Sequence, residues 1–252
     1  MIEEPFAQGE SWIHHLDPRA RLVMATLFAL TVALSRHLST GLVGLALGML
    51  VLTASRPPLG PLMRRLCAIN VFLVFLGITV PLTMPGSILW TFGPLHVSLE
   101  GVLLALAVTL KANAIMFVFI AFVASIPFPT LGHALEYLGV PRKLTFLLLF
   151  TYRYIHTLAG EWRRLHTASR LRGFVPRTGL HTYRTVGHML GMVLVNSFDR
   201  AGRVYQAMLL RGFTGQFTSV RQFSLTFLDR IMLVIWLALM ILVLTTDMYM
   251  EV

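Results

Sequence analysis

Five apolar runs decide what this chain can become. They cover residues 22–34, 42–54, 67–82, 102–126 and 231–244. A spanning helix needs about 20 mostly apolar residues, within a range of about 17–25. The first two runs are short, and they read as a tight hairpin of two short spans. The third and fourth are long enough alone, although Lys111 and Asn113 interrupt the fourth. The fifth is completed by its flanking residues. Composition agrees, with 56% hydrophobic residues, 13% charged residues and a mean hydropathy of +0.73 over 252 residues. Soluble domains carry about 25% charged residues and about 45–50% apolar ones. The expected fold is therefore an all-α integral membrane protein with about five transmembrane helices. Added to them are cytoplasmic helices, two of them long and crossing.

Basic residues orient the spans, because cytoplasmic loops collect Lys and Arg. Arg19 and Arg21 precede the first run, and Arg56, Arg64 and Arg65 separate the second from the third. Residues 81–99 hold no Lys or Arg, and the tail after the fifth run ends with Asp247 and Glu251. The N-terminus is then expected in the cytoplasm and the C-terminus outside, with Arg36 as the one outward-facing exception. Glu3, Glu4 and Glu10 replace the basic start of a cleavable signal peptide.

Net charge is +10, yet it is concentrated in one place. Residues 141–230 hold 14 Lys or Arg and three acids, Glu161, Asp199 and Asp229, so this stretch alone nets +11. Only Lys111 and Lys143 are lysines, which argues against a nucleic-acid-binding tail. The organisation expected is four spans over 1–126, a cytoplasmic coupling region over 127–227 and a final span over 228–252.

The coupling region reads as one short and two long helices. Thr130 can N-cap the short helix, and Gly139 with Pro141 can end it. Pro141 suits the first turn of a long helix reaching Arg172, about 48 Å at 1.5 Å per residue. Leu144, Leu148, Thr151, Ile155, Leu158, Trp162 and Leu165 form a narrow stripe along it. A second long helix can run from residue 180 to Arg211. Gly187 with Gly191, and Ser197 with Ala201, stand at the small-xxx-small spacing that lets helices cross closely.

The two long helices end alike. Ala168-Ser169-Arg170-Leu171-Arg172-Gly173-Phe174 returns 39 residues later as Ala207-Met208-Leu209-Leu210-Arg211-Gly212-Phe213. Glycine just past a helix end adopts the left-handed conformation freely, and arginine in the last turn complements the helix dipole. Those effects explain each Arg-Gly pair singly. The return of the whole pattern suggests docking: a guanidinium fork beside an apolar anchor, presented twice. Arg170, Arg172, Gly173 and Phe174 form one candidate docking end, and Arg211, Gly212 and Phe213 the other.

Signatures of catalysis are absent from the sequence. No glycine is followed by lysine, so there is no Walker A loop, and there is no His-Glu-x-x-His or Gly-x-Ser-x-Gly motif. Cys67 is the sole cysteine and reads as a small buried side chain. His14 and His15 are adjacent, a pairing that suits an interface or surface better than a metal. Lys111 is expected to snorkel or to bond a neighbouring helix. A membrane lipid phosphotransferase would need clustered acids, and a self-sufficient carrier would need polar or broken spans. The eleven acids are dispersed and the spans hold mainly Lys111 and Asn113, so a lipid phosphotransferase and a carrier stand as the weaker alternatives.

The sequence resembles the T component of energy-coupling factor importers, in the cobalt/nickel-type (CbiQ-like) branch. The resemblance rests on Glu4-Pro5-Phe6-Ala7, on His15-Leu16-Asp17-Pro18-Arg19, on the two Arg-Gly ends and on the order of elements along the whole chain. Asp17 as N-cap with Pro18 at the first helical position makes physical sense of the second motif. Family signatures are often Ala-Arg-Gly, whereas both copies here carry Leu before Arg-Gly.

The resemblance implies a non-catalytic transport subunit in a bacterial inner membrane. Arg172 and Arg211 would dock two cytoplasmic ABC ATPases. ATP-driven closure would be relayed to a membrane-embedded substrate-binding S component, alone or with a small accessory membrane subunit. ATP and Mg would be held by the ATPases, and this chain would bind no cofactor or metal and no nucleic acid. The cargo implied is cobalt or nickel ion, with a vitamin as the alternative.

Overall fold

The computed structural model describes residues 6, 9, 11–35, 37–92, 95–213 and 226–249. Glu3, Glu4, Pro5, Ala7, Glu10, Arg36 and Glu251 lie outside the described residues. Elements follow in order as α1 (Trp12–His15), α2 (Pro18–Leu34), α3 (Leu38–Ser55), α4 (Leu59–Thr83), β1 (Ile88–Phe92), β2 (Leu95–Ser98) and α5 (Leu99–Phe122). They continue as α6 (Phe128–Tyr137), α7 (Arg142–Leu171), α8 (Leu180–Leu210) and α9 (Phe227–Tyr249). Two compact units result: Leu135–Gln222 with Met1–Ile2, and Glu3–Ala134 with Phe223–Val252.

In the second unit, α3, α4, α5 and α9 are long and apolar enough to cross a membrane. α2, at 17 residues, is shorter than these four. It packs against α5 and α9, and Phe28, Met24, Ala25 and Val32 on it are almost completely buried. α3 packs most extensively along α5 rather than along α2, so the first two helices do not form the tight hairpin expected from their short runs. β1 and β2 pair antiparallel, with Trp90 opposite Val97 and Phe92 opposite Leu95, in a stretch the charge pattern had marked only as an uncharged loop. α4 leans on α5 and leaves Val71, Phe72, Val74, Phe75 and Ile78 each more than three-fifths exposed. Such a face is costly in water and natural in hydrocarbon. Cys67 is exposed on the same helix, not buried, because α4 has neighbours on one side only.

Start signals in the sequence act as read for α2. Asp17 caps it, its Oδ1 accepting from the Arg19 amide at 2.8 Å, with Pro18 in the first turn. The Asp17 amide in turn donates to Asp229 Oδ1 on α9 at 3.0 Å. Asp229 also accepts from the Thr226 amide and hydroxyl at 2.9 and 2.6 Å, closing the α9 start as a capping box does. Arg21 Nη1 donates to Ser125 Oγ at 3.0 Å, and Trp236 Nε1 donates to the Met24 carbonyl at 3.0 Å. The Trp236 ring lies 5.5 Å from that of Phe122, edge to face, and 5.9 Å from that of Phe28. α2 is thus clasped at its N-terminal end by polar bonds and along its length by aromatic rings.

Polar residues within the spans have partners, as low-dielectric surroundings require. Lys111 Nζ donates to the Ser35 carbonyl at the end of α2, the helix–helix bond that its position suggested. Asn113 and Asn70 exchange two amide hydrogen bonds, at 3.1 and 3.2 Å, joining α4 to α5. Thr40 and the His37 amide both donate to Asp247 Oδ1, fastening the start of α3 to α9.

Close helix packing occurs where the sequence reading did not place it. Gly44 and Gly48 on α3 form a Gly-xxx-Gly step. A Cβ at Gly48 would lie 2.9 Å from the Ala114 carbonyl oxygen, and one at Gly44 would lie 3.1 Å from Val32 Cγ2. A Cβ at Gly187 or Gly191 would meet nothing within 4 Å among the described residues. Substituting Gly48→Val should therefore lower the thermal stability of the purified protein sharply. Gly187→Ala should hold or raise it, by up to about 1 kcal/mol from helix propensity. Scanning detergent-solubilised variants by thermal unfolding checks the contrast; a tolerant Gly48 would refute the packing.

Candidate functional site

α7 and α8 belong to the other unit, and their ends are built alike. α6 begins at Phe128, so Thr130 sits buried in its first turn rather than capping it. Gly139, at φ +99°, turns the chain out of α6, and Pro141 becomes the N-cap of α7 instead of its first residue. The long helices end one residue before Arg172 and Arg211, which are the C-caps, while Arg170 lies in the last turn of α7.

At the first end Gly173 has φ +84°, its amide donates to the Arg170 carbonyl at 3.0 Å, and the Phe174 amide donates to the Ser169 carbonyl at 3.0 Å. At the second, Gly212 has φ +77°, its amide donates to the Leu209 carbonyl at 3.0 Å, and the Phe213 amide donates to the Met208 carbonyl at 3.0 Å. Both are Schellman caps with identical bonding. The motif demands glycine at the left-handed position and is commonly accompanied by an apolar residue after it. Capping therefore accounts for the glycines and for the apolar character of residues 174 and 213. It does not demand arginine at the cap.

Exposure sharpens which side chains a partner would meet. Arg170, Arg172 and Arg211 are exposed. The phenylalanines turn toward their own chain: Phe174 lies 6.4 Å from the His181 ring, and Phe213 stacks on Phe146 at 6.3 Å. The residues standing out beside the arginines are leucines, Leu171 at 84% and Leu210 at 90% exposed. Sequence reasoning passed over them. The signal was present in the Leu-Arg-Gly-Phe register shared by both copies, because the cap geometry turns the residue after glycine back along the helix.

The helices cross near Glu161. Its Oε1 accepts from Asn196 Nδ2 at 3.0 Å, and its Oε2 lies 3.5 Å from Arg200 Nη2 and 3.9 Å from Arg164 Nη1. Beside this contact, Phe146, Phe150, Tyr154 and Leu158 of α7 face Ser197, Ala201, Val204 and Met208 of α8 across an apolar cavity of about 620 Å³. Phe213 closes its far end. Ser197 and Ala201 thus line the space between the helices, whereas Gly187 and Gly191 are exposed. At 1.5 Å per residue, Arg172 lies about 16 Å beyond Glu161 and Arg211 about 22 Å beyond Asn196. Because the helices run antiparallel, these ends fall on opposite sides of the crossing.

Comparisons with known proteins cover most of the chain. The family model CbiQ, described as "Cobalt transport protein", matches residues 9–222. The chain belongs to the CbiQ family. An "Energy-coupling factor transporter transmembrane protein EcfT" of Leuconostoc gelidum is 26% identical over 239 residues, 90% of this chain and 89% of that protein. The EcfT of Macrococcus caseolyticus is 27% identical over 226 residues, 85% of each chain. That of Staphylococcus aureus is 28% identical over 236 residues, 88% of each chain. This CbiQ-family chain is accordingly a T component and a multi-pass membrane protein.

The caps make a stability prediction that does not depend on any partner. Alanine at a left-handed position pays a Cβ clash of about 1–2 kcal/mol. Gly173→Ala and Gly212→Ala should each destabilise the protein by about that amount, measured by chemical or thermal unfolding in detergent. Gly160→Ala, mid-helix in open space, is the control expected to do no harm.

Proposed function

We propose that this chain is the coupling subunit of an energy-coupling factor importer. Its two helix ends dock a pair of cytoplasmic ABC ATPases and relay their closure to a membrane substrate-binding subunit. The observation that carries this reading is the duplicate end. Two identical caps each fix an exposed arginine next to an almost fully exposed leucine. Arginine offers a rigid fork to a carboxylate or to backbone carbonyls, and leucine offers an apolar plug. Two such ends on opposite sides of one crossing suit a partner that presents the same socket twice.

Division of labour follows from the same reading. ATP and Mg belong on the ATPases, and the N-terminus and the basic coupling region belong on their side of a bacterial cell membrane. Among the described residues, no group of three or more His, Cys, Asp or Glu is placed to hold a metal ion. The cargo proposed is cobalt or nickel ion, of which the family description supports cobalt, with recognition left to the substrate-binding partner.

Arg172→Glu combined with Arg211→Glu should abolish co-purification of the ATPases while the chain still inserts in the membrane at parental level. Undiminished ATPase capture by that double variant would refute the docking assignment. The chain purified alone should show no ATP turnover above a contaminant control.

A further inference from the structure

The contact at Glu161 is unlike the rest of the α7–α8 interface. Most of that interface is an apolar gap, bridged at its far end by the Phe146–Phe213 stack. Glu161 is 19% exposed and sits where the two helices approach. One oxygen accepts a hydrogen bond from Asn196 and the other pairs with Arg200, whose side chain is 37% exposed; the two partners are one helical turn apart on the same face of α8. A carboxylate held by two groups on the partner helix resists both sliding and rotation. An apolar contact beside an open cavity resists neither strongly, since directional bonds fix register where packing alone does not.

We propose that Glu161 is the positioning residue of the crossing. Held by Asn196 and Arg200, it is the fixed point about which the Arg172 and Arg211 ends are set, so that displacement of one end moves the other. The inference rests on the coupling function proposed above. The lever lengths give it consequence. With arms of about 16 and 22 Å beyond the fixed point, a few degrees of freedom at the crossing become ångströms at the docking ends. Arg164, one turn along α7, also reaches Glu161 but is 82% exposed, so it contributes little to the fixing.

Two measurements test this. The first needs no partner. In the full chain with Cys67→Ser, spin labels are placed at the exposed positions Thr167 and Gln206, and their distance distribution is read in lipid nanodiscs. Glu161→Ala should broaden the distribution at least twofold, and Glu161→Gln, which keeps the acceptor for Asn196, should broaden it less. The charge exchange Glu161→Arg with Arg200→Glu should restore the parental width. An unchanged width in Glu161→Ala, or no recovery in the exchange, overturns the proposal.

The second uses the complete transporter with its ATPases and membrane partner in vesicles. Glu161→Ala should leave ATPase capture intact and lower substrate uptake per ATP hydrolysed at least tenfold, with recovery in the charge exchange. Uptake per ATP equal to the parent's overturns the proposal. Failure of the parental chain to capture any ATPase would instead refute the coupling function, while the distance measurement would still decide the role of Glu161.

Discussion

Asp229 is the group on which the membrane unit turns. It is a carboxylate almost completely buried, and it accepts the backbone amide of Asp17 from 212 residues earlier in the chain. It also closes the start of its own helix through Thr226. One side chain thus satisfies orphan donors at the starts of both the first long helix and the last, where unpaired groups would be costly. With Arg21 bonded to Ser125 nearby, α2 is tied at one end to the turn after α5 and to α9. The helix least suited by length to span a membrane becomes the one most enclosed by others.

Much of this was legible in the sequence because hydrocarbon imposes simple demands. Length and hydropathy marked the runs, Asp17-Pro18 marked a helix start, and glycine marked three helix ends. What escaped depended on which faces meet. Gly44 and Gly48 carry the closest packing, whereas Gly187 and Gly191 of the same residue type at the same spacing face open space. Spacing states only that a close approach is permitted. Whether a neighbour arrives is decided by the whole bundle. The buried fixing of α2 by Trp236 and Asp229 likewise joins residues more than 200 apart, a distance no local pattern spans.

At the candidate site, both heptapeptides end in the same cap, and the phenylalanine of each lies against a ring of its own unit. Phenylalanine after glycine looked like an anchor for a partner. The Schellman geometry turns that residue back, and Phe213 ends against Phe146 inside its own unit. The apolar group left outside at each end is the leucine before the arginine. A cap that reverses the chain thus sorts a tetrapeptide into an inward half and an outward half.

That sorting also connects the ends to the crossing. Phe213 is two residues beyond Arg211 and closes the cavity that begins beside Glu161. A force applied at Arg211 must either carry Phe213 with it or strain a cap held by two backbone hydrogen bonds. The cap is the stiffer of the two, because breaking it exposes carbonyls, while an aromatic ring can slide along another at little cost. Movement of the α8 end therefore changes the shape of the apolar cavity before it unwinds the helix. A soft aromatic contact at one end of the gap and a polar contact at the other suit the coupling role proposed for the two helices.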